Sequence, residues 1–155
     1  MKLAKLLSKH GLKIAFVESC TAGMASALLA RTPGISEHLC GSFVVYRANQ
    51  KKRVLNISQD LIDKHTTESQ EVVRQLAQNA YEITAEAHWV AAIVGDLGPG
   101  ASEDKDGKVH ICIYGSPKIE CNTFTLKKKK RTSRMVEASK LLLNTLKSVL
   151  ESQYE

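Results

Sequence analysis

Short apolar runs alternate with amphipathic segments along the chain. The runs at 12–17 and 89–94 are almost continuously apolar, which is typical of strands buried on both faces of a sheet. Residues 70–87 instead place apolar side chains at intervals of three and four. This period predicts a long amphipathic helix, with Ser69 as its N-terminal cap. A C-terminal helix of about 20 residues from Thr132 is predicted on the same grounds.

Shorter segments fill the rest of the pattern. We predict helices over 2–10, 24–30, 49–55 with Asn49 as cap, and 58–64 with Ser58 as cap. Further strands are predicted over 42–46, 109–114 and 118–126, the last two forming an antiparallel hairpin. Interleaved helices and strands indicate an α/β fold, a three-layer α/β/α sandwich with a mixed sheet covered by helices. With no repeat or linker in view, residues 1–155 are interpreted as a single domain.

The loop from Glu18 to Gly23 joins the first apolar strand to an alanine-rich helix. Free N–H groups at such a junction favour an anion or a developing negative charge. Ser19 there could be a nucleophile, and Cys20 could compete for that role if its thiol pKa were lowered. The simpler interpretation is that Ser19 or Thr21 only caps the helix. The local sequence leaves these alternatives open.

Composition narrows the class of protein. The chain has 155 residues, 43% of them hydrophobic, and its apolar runs are too short to cross a bilayer. We therefore expect a cytoplasmic globular protein. The four cysteines are scattered and contain no CxxC pair, so buried free thiols are expected rather than a zinc site or disulfides.

The formal net charge of +6 is concentrated in two clusters, 51–53 and 127–131. Such clusters can bind phosphate, nucleic acid or an acidic partner, although they often form only a solvated face. Aromatic residues that could stack on bases are absent beside the second cluster. We therefore do not expect a nucleic-acid partner.

Several motifs resemble one known family in the same order along the chain. The hexapeptide Glu18-Ser19-Cys20-Thr21-Ala22-Gly23 is similar to the ESCTGG motif of the CinA C-terminal domain family. Further similarities are found at 32–36, at 41–46 followed by Lys51, at 69–72, at Gly98-Pro99-Gly100, and at Arg131 and Arg134. The hexapeptide is the most specific of these motifs.

Active members of that family deamidate nicotinamide mononucleotide. The resemblance implies hydrolysis of its carboxamide to nicotinate mononucleotide and ammonia, with Ser19 as nucleophile and Lys51 as the base. Tyr46 would relay the proton or orient Lys51. It further implies substrate contacts from Glu18, Thr21, Ala22, Gly23, Gly98, Pro99, Gly100 and Arg131. Neither a metal nor an organic cofactor is required.

Some positions depart from the family pattern. Val94 stands where the family has a threonine, Asp96 where it has an apolar residue, and Glu68 where an apolar residue is usual. Ala22 replaces a glycine, which is tolerable only if its φ is negative. These departures support an alternative, a catalytically impaired or reassigned member that binds a nucleotide or acts as a regulatory or interaction protein. In either case we expect a small-molecule nucleotide ligand, no membrane contact and a homo-oligomer.

Overall fold

A mixed sheet forms the centre of the computed structural model, which describes residues 2–155. Its strands are β1 (Ile14–Glu18), β2 (Leu39–Val44), β3 (Trp89–Gly95), β4 (Lys108–Gly115) and β5 (Lys118–Thr125). They are arranged in the order β2-β1-β3-β4-β5. β1 pairs in parallel with β2 and β3, whereas β3–β4 and β4–β5 are antiparallel. The predicted mixed sheet and its C-terminal hairpin are confirmed.

Helices cover both faces of this sheet, which confirms the three-layer α/β/α sandwich. They are α1 (Lys2–Lys9), α2 (Met24–Ala30), α3 (Ala48–Leu55), α4 (Gln59–His65), α5 (Gln70–Ile83) and α6 (Arg131–Tyr154), with a 3₁₀ turn at Ile35–Glu37. One core contains α1, α2 and α6 packed on Ile14 and Phe16. The other contains α3, α4 and α5 packed on Ala15 and Val17. The alternation of β1 therefore supplies both cores.

Two predicted helix caps are confirmed and one is wrong. The hydroxyl of Ser58 accepts a hydrogen bond from the N–H of Leu61 at 3.1 Å. Ser69 accepts one from Val72 at 3.2 Å. Asn49, however, lies inside α3, because the preceding Arg47 already has extended backbone and occupies the cap position. No side chain caps that helix.

Several element boundaries differ from the predicted ones, most clearly those of β2 and α5. β2 covers 39–44 instead of 42–46, because its pairing with β1 begins at Ile14 opposite Leu39 and ends at Glu18 opposite Val44. The long helix α5 ends at Ile83 instead of 87. Beyond it the N–H of Ala87 bonds the carbonyl of Thr84, and His88 donates to the carbonyl of Lys13. This turn leads the chain into β3 alongside β1.

The expectation of four free cysteines is wrong for one pair. Cys112 on β4 and Cys121 on β5 are directly opposite each other, with Cα atoms 4.1 Å apart, and form a disulfide. Each lies three residues from the turn that pairs Gly115 with Lys118, so the hairpin register brings them together. Cys20 and Cys40 are free thiols.

No helix among residues 2–155 combines the length and apolar character needed to span a membrane.

Candidate functional site

The carboxyl ends of the three parallel strands place the predicted site residues along one edge of the sheet. Ser19 follows β1, Tyr46 follows β2 by two residues, and Asp96 follows β3. Because β4 runs antiparallel to β3, its first residue Lys108 also lies at this edge. Ligands in open α/β sheets bind at such an edge.

Ser19 and Lys51 are in direct contact there. The Nζ of Lys51 lies 3.1 Å from the Oγ of Ser19 and 3.1 Å from the backbone oxygen of Tyr46. Ser19 is 4% exposed, and Lys51, on the first turns of α3, is fully buried. Lys51 makes no ion pair within 4.0 Å in residues 2–155. The site therefore contains a hydroxyl hydrogen-bonded to a buried amine.

The burial of Lys51 has an electrostatic consequence. Removal from water disfavours the ammonium form and lowers the pKa of Lys51 from its ordinary value, while the charge of Glu68 opposes this shift. An amine with a lowered pKa is a better proton acceptor near neutral pH. The neighbouring thiol behaves oppositely, since burial raises the pKa of Cys20 to about 12. Cys20 is therefore a thiol and not a thiolate, which removes it as the competing nucleophile.

Glu18 is fully buried and holds the start of α2. Its carboxylate accepts hydrogen bonds from the N–H groups of Ala25 and Ser26 at 2.8 and 3.1 Å. It also accepts from the hydroxyls of Thr21, Ser26 and Ser42. The prediction that Ser19 or Thr21 caps this helix is wrong, because the N-cap is Gly23 and the carboxylate reaches in from the preceding strand. Ser19 is thereby left free to contact Lys51.

Ala22 adopts a left-handed backbone, with φ of 50°. Alanine can replace the motif's glycine without strain only where φ is negative, so Ala22 is strained. Its N–H donates to the carbonyl of Ser19 at 3.0 Å, closing a tight turn. By contrast, the N–H groups of Thr21 and Gly23 donate to no acceptor among residues 2–155.

The side chain of Tyr46 points away from the amine. Its hydroxyl is 2.6 Å from the Nη2 of Arg131, and the Nη1 of Arg131 donates to the carbonyl of Gly98. Tyr46 accepts the hydrogen bond of Lys51 through its backbone oxygen. Tyr46 thus links the Ser19 site to the glycine loop and to the start of α6.

Val94 and Asp96, which depart from the family pattern, both have structural roles. Val94 is fully buried in the core beneath α5. One carboxylate oxygen of Asp96 accepts the N–H of Gly98 at 2.9 Å, which shapes the loop. Gly98 and Gly100 both have positive φ, so glycine suits this turn. Neither departure interrupts the contact between Ser19 and Lys51.

Two contributions to the site were missed from the sequence. Arg134 is 3% exposed and binds both oxygens of Asp106, at 2.7 and 2.9 Å, as well as the carbonyls of Leu97 and Lys128. Arg134 and Asp106 are 28 positions apart in the sequence, so no local sequence pattern indicates that they pair. From the sequence, Glu68 was only a departure from the family pattern. In the structure its charge raises the pKa of Lys51. Among residues 2–155, no group of three or more His, Cys, Asp or Glu side chains could hold a metal ion.

Comparison with known proteins identifies the family. Residues 1–150 match the family model described as the CinA C-terminal domain. The chain belongs to the CinA C-terminal domain family. The glutamate, serine, lysine and tyrosine of the site thus belong to a CinA C-terminal domain, as the resemblance indicated.

Curated relatives of this CinA domain are longer proteins. A CinA-like protein of Pseudothermotoga lettingae is 37% identical over 113 residues, which are 72% of this chain and 28% of the relative. A CinA-like protein of Prochlorococcus marinus (strain MIT 9312) is 39% identical over 115 residues, 73% of this chain and 27% of the relative. The matched segments thus span less than a third of the length of either relative.

Solved structures match the fold over nearly the whole chain. A competence or damage-inducible protein from Enterobacter asburiae is 26% identical with a TM-score of 0.89, covering 96% of this chain and 94% of that one. A competence/damage inducible protein, CihA, from Agrobacterium tumefaciens also gives a TM-score of 0.89 at 24% identity, covering 97% and 94%. These similarities support the three-layer architecture of the CinA domain.

Proposed function

We propose that this CinA domain is an amidohydrolase that converts nicotinamide mononucleotide to nicotinate mononucleotide and ammonia. The observation that carries the proposal is the 3.1 Å contact between Ser19 Oγ and the buried amine of Lys51. A serine becomes a nucleophile when a neighbouring base accepts its proton, and lysine serves as that base when its pKa is lowered. Here burial lowers the pKa of Lys51.

The chemistry follows from this pair. Neutral Lys51 accepts the proton of Ser19 as Oγ attacks the carboxamide carbon. The resulting oxyanion is held by backbone N–H groups, for which those of Thr21 and Gly23 are free. Lys51 then returns the proton to the leaving nitrogen, and ammonia departs as the serine ester forms. Water, deprotonated by the same amine, hydrolyses the ester to the carboxylate and restores Ser19.

Other predicted contacts have narrower roles in this proposal. Glu18 and Thr21 keep the nucleophile loop in place, because their polar side-chain groups already bond within the protein. Tyr46 positions Lys51 through its backbone oxygen and Arg131 through its hydroxyl. Gly98 is linked to Tyr46 through Arg131, and Pro99 and Gly100 line a cavity together with Arg131.

The proposal is tested by ammonia release from nicotinamide mononucleotide. We expect turnover by the natural protein and a loss on the order of 10³-fold or more in Ser19→Ala and in Lys51→Met. Methionine keeps the length and burial of the lysine stem without its amine. The matched control is Lys52→Met, since Lys52 is the next residue of α3 and its amine donates to Gln59, away from Ser19.

The alternative is a domain that binds the nucleotide without hydrolysing it. Calorimetric binding measured beside turnover separates the two: binding by the natural protein with no ammonia would overturn the amidohydrolase. Equal activity of Ser19→Ala and the natural protein would overturn the role of Ser19 itself.

A further inference from the structure

A groove runs along the side of α6 that faces solvent. One cavity of about 590 Å³ is lined by residues of α6 together with Lys127 and Lys128. A second cavity, of about 320 Å³, lies between α6 and the start of α1. The two cavities share Lys140 and Asn144, so they form one continuous surface, the α6 groove. It extends over positions 133–147 of the helix, which is about 21 Å at 1.5 Å per residue.

The spacing of residues along α6 produces this surface. The residues that the helix contributes to the larger cavity recur at intervals of three and four, so they share one side of it: Ser133, Val136, Glu137, Lys140, Leu141 and Asn144. Ala138, Leu142 and Leu146 on the opposite side are in the core. Val136 is 38% exposed and Leu141 is half-buried. The solvent side of α6 therefore combines apolar and charged side chains, unlike a purely solvated face.

Most of the lysine amines along the α6 groove have no partner within the protein. Within residues 2–155, four of its lysines make no side-chain hydrogen bond and no ion pair, namely Lys2, Lys127, Lys128 and Lys140. The fifth, Lys147, pairs with Glu151 at 3.3 Å. The groove therefore presents several exposed ammonium groups to a binding partner.

Glu137 is the only carboxylate among the described residues that line the groove. It accepts hydrogen bonds from the backbone N–H groups of Lys127 and Lys128 at 2.7 and 2.9 Å. Arg134 donates to the carbonyl of Lys128 at 2.9 Å. The segment that leads into α6 is therefore attached to the helix through both its N–H and its carbonyl groups. A groove that is already formed loses little further freedom when a partner binds.

Charge and shape together favour one kind of occupant. A second copy bound through the same face would bring the same lysines together, and like charges across an interface oppose binding. A bilayer favours a helix face with apolar side chains that insert into it, whereas this surface is concave and its described lining includes no aromatic residue. An amphipathic helix with an apolar row flanked by carboxylates complements both the apolar floor and the lysines.

We propose that the α6 groove docks an acidic amphipathic helix of a partner protein. The apolar row of that helix packs on Val136 and Leu141, and its carboxylates meet the amines of Lys128 and Lys140. A helix of about 14 residues matches the length of the groove. This surface belongs to the α6 layer, whereas Lys51 belongs to α3 in the other layer. The inference thus goes beyond the proposed amidohydrolase and does not depend on it.

The probe is a fluorescein-labelled synthetic peptide of that length, with leucines at intervals of three and four and glutamates on both flanks. We expect saturable binding to the whole protein with a Kd below about 100 μM, measured by fluorescence anisotropy. A scrambled peptide of the same composition keeps the charge but loses the leucine row. It should bind at least about tenfold more weakly. Added salt should weaken binding, because the lysines are exposed.

The charges of the groove are tested by reversing two of them. Lys128→Glu/Lys140→Glu should weaken peptide binding about tenfold or more, because attraction becomes repulsion at two positions. The control Lys64→Glu/Arg74→Glu makes the same change in net charge at exposed positions of α4 and α5, on the other face of the sheet. Its effect should be less than about twofold, since a distant exposed charge is screened by salt.

The apolar floor is tested by a truncation. Val136→Ala should weaken peptide binding about threefold, because part of the apolar area that the leucine row covers is lost. The control is Val54→Ala on α3, where the valine is 44% exposed and lies outside the groove. Circular dichroism shows that each variant is folded before its binding is compared.

Several outcomes would overturn the docking of a helix. These are equal binding of the scrambled peptide, equal weakening by the two charge reversals, or no peptide binding at about 1 mM. A change of oligomeric state in Lys128→Glu/Lys140→Glu, measured by analytical ultracentrifugation, would assign the groove to a second copy instead. Binding to phosphatidylglycerol vesicles that this variant loses would assign it to a membrane surface.

Discussion

At the scale of single residues, Ala22 has a left-handed backbone conformation that is unfavourable for alanine. Its φ of 50° lies where a Cβ collides with the backbone, at a cost of about 1–2 kcal/mol. Part of this strain is offset because alanine has less conformational freedom than glycine in the unfolded chain. The side chain is exposed, so packing does not explain its presence.

We therefore expect Ala22→Gly to raise the free energy of unfolding by up to about 1 kcal/mol, measured by urea denaturation. The matched control is Ala27→Gly, an exposed position in the middle of α2. There the same substitution should lower the free energy of unfolding by about 1 kcal/mol, because the backbone is helical. Destabilisation at both positions would contradict the strain assigned to Ala22.

We expect Glu68 to influence the pH dependence of catalysis, because its charge acts on the pKa of Lys51. Lys51 is desolvated, which lowers its pKa, while Glu68 and Cys20 act in the opposite direction. Cys20 itself stays protonated up to about pH 12, so Glu68 is the charged neighbour that matters near neutrality. Activity requires neutral Lys51, so kcat/KM should rise with pH up to the pKa of this amine in the free protein.

In Glu68→Gln the pKa of Lys51 should fall further, because the carboxylate that favours its ammonium form is gone. The rising limb of the pH profile of kcat/KM should then move to lower pH. Glu71→Gln is the control, since Glu71 lies near Glu68 at the start of α5 but does not act on Lys51. A shift to higher pH, or equal shifts in both variants, would contradict this assignment.

At the scale of elements, sequence periodicity predicted whether each segment is a helix or a strand. It predicted the residue at which each element ends less accurately. Ser58 and Ser69 cap their helices as predicted, because an N-cap depends on a hydroxyl and an N–H three residues away. The ends of β2 and α5 depend instead on partners far along the chain, namely β1 and Lys13. Local propensity contains no information about those partners.

In the candidate site, too, local features were predicted and contacts between distant residues were not. The hexapeptide pointed to the Ser19 loop, and the resemblance supplied Lys51. The sequence did not reveal that Glu18 anchors α2, or that Arg134 pairs with Asp106 across 28 positions. Arg134 lies on α6 and meets Asp106 only because the fold brings α6 beside the loop before β4. The N–H groups that Glu18 binds are seven and eight residues further along the chain, beyond the reach of an ordinary capping pattern. The Cys112–Cys121 pair was the exception that local reasoning could have reached, since the hairpin register places them opposite each other.

At the scale of the whole molecule, one sheet supports two cores. Alternate residues of β1 and β3 enter the core beneath α1, α2 and α6 or the core beneath α5, so neither core can form without the sheet. Burial of both faces also explains why the two central strands are almost continuously apolar. We therefore predict that residues 1–155 unfold as one cooperative unit.

The test uses one truncation in each core, Leu142→Ala on α6 and Leu76→Ala on α5, both at fully buried positions. Each should lower the free energy of unfolding by about 2–5 kcal/mol. Trp89, which packs in the α6 core, reports that core by fluorescence, while far-ultraviolet circular dichroism reports all helices. In a cooperative unit the two signals change together in both variants, because loss of either core removes the sheet on which the other packs. If Leu76→Ala shifted the circular dichroism transition but left that of Trp89 unchanged, the two layers would be separate folding units.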